Sequence, residues 1–211
     1  SNLLDKYRYY AIICVYLSKK ESKIMKLSII TILAIIGLSV FAETQDRLKA
    51  MPEEDMTLMS SQIDTAQAYC LAQNIYFEAG NQSLEGMAAV ADVTLNRVQE
   101  ERYPDTICGV VKAGVKNSNG TMKKHKCQFS WYCDGKSDKI PNMPNNQTWQ
   151  NAEFVAKAML LQYNMTDTGD YFGITCGATH YHANYVVPNW IEDRGMDRVK
   201  QIGSHIFYKF D

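Results

Sequence analysis

The chain has 211 residues, 22 Lys and Arg against 23 Asp and Glu, a formal net charge of −1, 46% hydrophobic and 11% aromatic residues. These values fit an ordinary globular protein and exclude a disordered tail, a collagen-like fibre and a polytopic membrane protein. No basic excess is available to neutralise phosphates, which argues against a dedicated nucleic-acid binder, and the length admits one good core or two small ones.

The charge is unevenly spread. Residues 1–42 carry six bases (Lys6, Arg8, Lys19, Lys20, Lys23, Lys26) and two acids (Asp5, Glu21), which leaves 16 bases and 21 acids in 43–211. From Met25 the run MKLSIITILAIIGLSVFAET reads as a secretory leader. Lys26 supplies the positive start, Leu27 to Ala42 the apolar stretch, and Val40 and Ala42 the −3 and −1 positions before Glu43. An uncleaved membrane anchor is the alternative, although the stretch falls short of the roughly 20 residues of a full span. Met25 is the natural start in this reading, with 1–24 an upstream segment. The expected plan is therefore 1–42 as upstream segment plus leader or anchor, 43–63 as a polar, Met-rich arm containing Pro52, and 64–211 as one folded unit.

Within that unit the elements follow from caps and periodicity. Asp64 or Thr65 caps a helix that runs to Gly80, with Ala66, Tyr69, Cys70, Ala72, Ile75 and Tyr76 as its apolar face. Gly80 is its C-terminal stop. Ser83 caps a second helix over 84–100, on which Leu84, Met87, Val90, Ala91, Leu95 and Val98 recur at helical spacing. Tyr103-Pro104 breaks the chain, and Pro104 suits the first turn of a short helix carrying Ile107, Val110 and Val111. Residues 114–147, rich in Gly, Asn, Lys and Pro, read as long loops around the aromatic island Gln128-Phe129-Ser130-Trp131-Tyr132. Thr148 caps a further helix with Trp149, Ala152, Val155, Ala156, Met159, Leu160 and Tyr163 inward. Beyond Gly169, Tyr171 to Cys176, Ala178 to Ala183 and His205 to Phe210 are aromatic and β-prone. The expected fold is α+β, mainly helical with a small β subdomain.

The chain has six cysteines, and several behind a leader point to disulfides. Cys127 and Cys133 stand close enough to close a small loop. Setting Cys14 aside leaves five (Cys70, Cys108, Cys127, Cys133 and Cys176), so one thiol is left over or pairs between chains. No C-x-x-C pair suggests zinc.

The chemistry centres on Glu78, at the end of an apolar helix in Asn74-Ile75-Tyr76-Phe77-Glu78-Ala79-Gly80. Burial among aromatics raises a carboxyl pKa and keeps the proton on, which is what general-acid cleavage of a glycosidic bond requires. Glu85 and Asp92 are the nearest spare acids, seven apart on the second helix. Sugar clefts pair aromatic faces with amides and hydroxyls, the residue types of 128–131 and of Thr179-His180-Tyr181-His182-Ala183. In a strand, His180 and His182 share one face. Two histidines and a carboxylate can also hold zinc. There is, however, no H-E-x-x-H, no G-x-S-x-G, no phosphate loop and no dinucleotide fingerprint.

Taken together, Asn74–Gly80, Glu85–Ala91, Leu95–Val98, Cys127–Ser130, Gly177–Ala183, Trp190 and Ile202–Tyr208 resemble, in order and spacing, the catalytic domain of the SleB-type cell-wall hydrolases, the spore cortex-lytic enzyme family. The resemblance covers about 65–211. It implies a compact, lysozyme-like α+β fold and action on peptidoglycan glycan strands as a lytic transglycosylase, with no cofactor or metal. It places the catalytic acid on Glu78 and substrate-binding positions on Asn96, Gln128, Phe129, Ser130, Thr179, His180, Tyr181 and His182. The family commonly reads E-A-R-G-E, whereas here the run is Glu78-Ala79-Gly80-Asn81-Gln82, without the Arg and the second Glu. The expected partner is peptidoglycan, met by an exported monomer in the periplasm, in the wall or outside the cell. Nucleic acid is not expected, and membrane contact only if the leader is retained. A zinc-dependent N-acetylmuramoyl-L-alanine amidase using His180 and His182, a muramidase, and a non-catalytic glycan-binding module are the competing readings.

Overall fold

A computed structural model describes residues 63–165, 173–193 and 195–210. The leader, the upstream segment, all but the last residue of the arm, and Tyr171 lie outside them. Three main helices come first: α1 (Thr65–Ala79), α2 (Leu84–Gln99) and, after the short α3 (Ile107–Val111), α4 (Gln147–Met165). Between α3 and α4 stand β1 (Gly114–Lys116), β2 (Met122–Cys127) and two 3-10 turns, Ser130–Cys133 and Met143–Asn145. The chain ends in β3 (His180–Ala183), the one-turn helix α5 (Trp190–Asp193), β4 (Met196–Ile202) and β5 (His205–Phe210). The described fold is thus α+β, helical with two small antiparallel sheets, β1-β2 and β3-β5-β4.

The caps explain the helix starts. Asp64 accepts the amides of Ala66 (2.8 Å) and Gln67 (3.2 Å), and Ser83 accepts Gly86 N–H. The third long helix is capped by Asn146, which accepts Trp149 N–H at 3.1 Å, rather than by Thr148. Thr106 caps α3, so Pro104 lies before the helix rather than in its first turn. Gly80 is present for a reason other than a left-handed stop. Its φ is −61°, and an added Cβ would lie 2.5 Å from Tyr76 O and 2.9 Å from the Thr148 methyl group, so glycine lets α4 approach α1.

Helix α2 is the axis of the core. Every residue from Gly86 to Arg97 is buried, because Ala88, Ala89 and Ala91 allow neighbours to close on all sides. A helix enclosed in this way differs from the one-faced helix that the spacing predicts. It also encloses four polar side chains, Asp92, Thr94, Asn96 and Arg97, which must then find partners inside the protein. Around it pack Leu71 and Ile75 of α1, Val155 and Met159 of α4, and Phe207 of β5, all fully buried.

Two β elements escape the sequence pattern. The 114–147 stretch contains the β1-β2 hairpin, whose strands are polar and almost wholly exposed and so carry no alternation. Residues 173–176 form a turn rather than a strand, and β4 supplies the strand instead. Two disulfides tie the frame, Cys70–Cys108 between α1 and α3 and Cys127–Cys133 from the end of β2 to the 3-10 turn. Cys176 is also disulfide-bonded, so the odd cysteine is not a leftover thiol. No described helix is long and apolar enough to cross a membrane.

Candidate active site

Glu78 sits on the last turn of α1, half-buried. The Tyr181 hydroxyl donates to its Oε2 at 2.9 Å. Burial is the main influence on Glu78 and raises its pKa above the ordinary 4.5, while the Tyr181 hydrogen bond and the Arg97 charge pull it down. Tyr181 itself is pushed well above the phenol range, chiefly by burial and then by the charge of Glu78, so it remains a donor. A carboxyl in this setting holds its proton to higher pH than a solvated one, and has a hydroxyl and a cation ready for the anion it leaves.

Tyr181 reaches Glu78 because of strand register. β3 pairs with β5 as Tyr181↔Phe207 and His182↔Ile206. Tyr181, His205 and Phe207 therefore share the inner face, with ring centres 5.1 and 5.7 Å from Tyr181. His180 and His182 share the other face, where both meet Trp190 and His182 stacks on Tyr208. The two nitrogens of His182 face Ala183 O at 2.9 Å and the Tyr208 hydroxyl at 3.0 Å. Among the described residues no three His, Cys, Asp or Glu side chains gather as metal ligands.

The strand is held in place from α2. The buried Asp92 carboxylate accepts the Thr175 amide (2.8 Å) and hydroxyl (2.5 Å). One turn on, the Asn96 amide donates to Thr175 Oγ1 (3.2 Å) and Ala178 O (2.9 Å). Arg97 Nε donates to Thr179 O at 2.8 Å. Three polar side chains of one helix thus grip 175–179, the segment that feeds β3. Gly173 lies against Asp92 so closely that an added Cβ would be 1.5 Å from Oδ1.

Arg97 is 5% exposed, with its guanidinium 5.0 Å from the Phe129 ring centre and 5.3 Å from that of Tyr103. Its Nη1 is buried without a hydrogen-bond partner. Burial lowers its pKa, and Tyr103, Tyr181, Glu78 and Glu100 oppose that. On the other side of Glu78, Asn74 is fully buried. It donates to Thr94 Oγ1 (3.1 Å) and accepts Trp131 Nε1–H (3.0 Å), and this aims Trp131 to stack on Phe77 at 4.5 Å.

The resemblance-derived positions therefore separate by location. Tyr181 touches Glu78. Asn96, Thr179 and Phe129 are buried behind it, on the Arg97 and β3 supports. Gln128 and Ser130 are exposed on either side of Phe129, and His180 and His182 lie on the outer face of β3. Of the spare acids, Asp92 is spent on Thr175, and the charge of Glu85 acts on Lys200 of β4. Gln82, where the family has an acid, accepts Ser204 N–H at 3.2 Å and so pins the β4-β5 turn. Arg97 and Asn74 were not singled out as site residues by sequence reasoning, and Trp131 only as part of the aromatic segment 128–131. The available signal was a charged residue inside a run of small and apolar helix positions.

An aromatic-lined, half-buried carboxyl carried by a helical frame and braced by a small antiparallel sheet is the candidate site of this domain. The chain belongs to the Cell Wall Hydrolase family, whose sequence profile matches residues 81–208, beginning just after Glu78. It is 28% identical over 138 residues to a spore cortex-lytic enzyme of Halalkalibacterium halodurans, across 65% of this chain and 33% of that relative, so it spans about a third of the relative's length. Among solved structures, it is similar to the catalytic domain of the germination-specific lytic transglycosylase SleB from Bacillus anthracis. The figures there are 26% identity and a TM-score of 0.45, with 70% of this chain and 98% of that one covered. For the catalytic domain of the Bacillus cereus SleB protein they are 27% and 0.43, with 70% and 94% covered.

Proposed function

We propose that this protein cleaves the glycan strands of peptidoglycan as a lytic transglycosylase, with Glu78 as both acid and base. The carrying observation is the setting of Glu78: a raised pKa, one hydroxyl donor and one nearby cation. A glycosidase that hydrolyses with two carboxylates needs the second within about 5–9.5 Å of the first. Here the charge acting on Glu78 is that of Arg97, with the Tyr181 hydroxyl as a hydrogen-bond donor, and Asp92 is withdrawn into the Thr175 clamp.

One carboxyl suffices if the substrate supplies the nucleophile. Glu78 gives its proton to the glycosidic oxygen, and the bond from that oxygen to C1 of N-acetylmuramic acid breaks. The C6 hydroxyl of the same sugar attacks C1 and returns its proton to the Glu78 carboxylate. A 1,6-anhydro ring closes, and the enzyme is restored. Tyr181 and Arg97 stabilise the carboxylate between the two transfers.

The enzyme is expected to work outside the cytoplasmic membrane, delivered by the Met25–Ala42 leader, as a monomer without metal or cofactor. Mass spectrometry of digested peptidoglycan tests the reaction. Wild type yields 1,6-anhydro-muropeptides and Glu78→Gln yields none. Reducing ends alone would establish a muramidase, free stem peptides an amidase, and binding without product a glycan-binding module.

A further inference from the structure

The acidic charge of 43–211 conceals a strongly basic face. From Thr106 to Cys133 the chain has five lysines (Lys112, Lys116, Lys123, Lys124 and Lys126), His125 and no Asp or Glu. Removing those lysines leaves 11 bases against 21 acids in the rest of 43–211. All five are exposed, and none forms an ion pair among the described residues.

The backbone is shaped to present them. Gly114 pairs with Cys127 and Lys116 with Met122, so two steps along β1 face five along β2. The excess bulges outward, with His125 at φ 58°, an uncommon conformation for a residue with a side chain. As a result Lys123, Lys124, His125 and Lys126 are all exposed instead of alternating. The Lys124 stem lies across Gly135, where an added Cβ would be 3.1 Å from Lys124 Cε.

This face is anchored next to the candidate acid. The end of β2 is bonded through Cys127–Cys133 to the 3-10 turn. That turn carries Trp131, which stacks on Phe77, the neighbour of Glu78. Phe129, two residues beyond Cys127, flanks Arg97.

We propose that the β1-β2 hairpin binds the carboxylates of the stem peptides that branch from the glycan being cut. The inference rests on the glycan-cleaving reading above. Each N-acetylmuramic acid carries a peptide on its lactyl group, with free carboxylates along it and at its end. A stem of four or five residues reaches roughly 15 Å, so its carboxylates travel with the scissile bond. Clustered, unpaired ammonium groups supply the complementary charge, steering a polyanion onto the site and weakening with salt.

The test uses the full chain with Glu78→Gln, so that substrate is not consumed, with and without Lys123→Gln/Lys124→Gln/Lys126→Gln. Binding is read by co-sedimentation with intact sacculi, with sacculi whose carboxylates have been converted to neutral amides, and, by pull-down, with peptide-free glycan strands. At low ionic strength the lysine substitutions should weaken binding to intact sacculi roughly tenfold. The difference should vanish at high salt and on amidated sacculi, and should shrink on peptide-free strands, which keep only the lactyl carboxylate of each N-acetylmuramic acid. Equal binding of both proteins to intact sacculi overturns the proposal. A loss persisting on amidated sacculi does so too, and points to wall phosphate. The enzymatic reading is judged separately: a wild-type protein that forms anhydro ends but shows no lysine dependence refutes this inference alone.

Discussion

Tyr181→Phe isolates the hydroxyl that touches the proposed catalytic acid, Glu78. The ring keeps its packing against His205 and Phe207, and only the 2.9 Å bond to Glu78 Oε2 is lost. That bond favours the charged carboxylate, so removing it raises the Glu78 pKa further. A hydrogen bond to a charged group contributes about 1.5–3 kcal/mol, which corresponds to about one to two pH units at 1.36 kcal/mol each. Because Glu78 is only half-buried, the lower end applies, a shift of about one unit. Glu78 must be protonated to donate, so the alkaline limb of kcat/KM moves up by that amount. A weaker acid also donates more slowly, and kcat near neutrality falls up to about tenfold. The assay is the clearing rate of a peptidoglycan suspension from acid to alkaline pH, with anhydro-muropeptides quantified at each point. A Tyr181→Phe profile that superimposes on wild type, or moves to lower pH, would refute this account of the acid.

Three further outcomes follow from the same geometry. Because burial raises the Glu78 pKa in the folded state, the associated stability is full below the ordinary value of 4.5 and lost as pH rises through the folded one. Glu78→Gln should therefore melt higher than wild type at pH 7 and converge with it in acid; a lower melting temperature at pH 7 contradicts the burial argument. Gly173→Ala drives a methyl into the Asp92 carboxylate and should cost about 3 kcal/mol or more, read as a lower urea midpoint, with activity falling alongside as β3 shifts. An unaltered midpoint would mean that the Asp92–Thr175 clamp is not tight. Cys70→Ala/Cys108→Ala opens a loop of 38 residues and should lower stability by up to about 4 kcal/mol, with a circular-dichroism melt as the check.

Helices α1, α2 and α4 were legible in the sequence because their signals are local. Asp64 and Ser83 cap from the chain itself, and the apolar residues recur at helical spacing. The hairpin was not legible, since strands exposed on both faces have no reason to alternate. Gly80 shows a subtler limit: a glycine after a helix suggests a left-handed stop, but here the demand comes from Thr148 across the core. Within the site, Glu78 stood out by its aromatic neighbours and by resemblance. The direction of each side chain did not, because it is fixed by long-range packing. Asn96 and Phe129 occupy motif positions yet point into the supports of β3, and Arg97 became visible only once α2 proved to be enclosed on every side.

The grip of α2 on 175–179 has a consequence for when the protein acquires its reactivity. Glu78 and Tyr181 are 103 residues apart, and their meeting depends on Asp92, Asn96 and Arg97 having closed on a turn some 80 residues downstream. Before that closure the chain has only a solvated glutamate and a solvated tyrosine, each with ordinary acidity. The proposed proton donor is thus a property of the finished tertiary structure rather than of any segment, and a chain that unfolds between α2 and β3 gives it up.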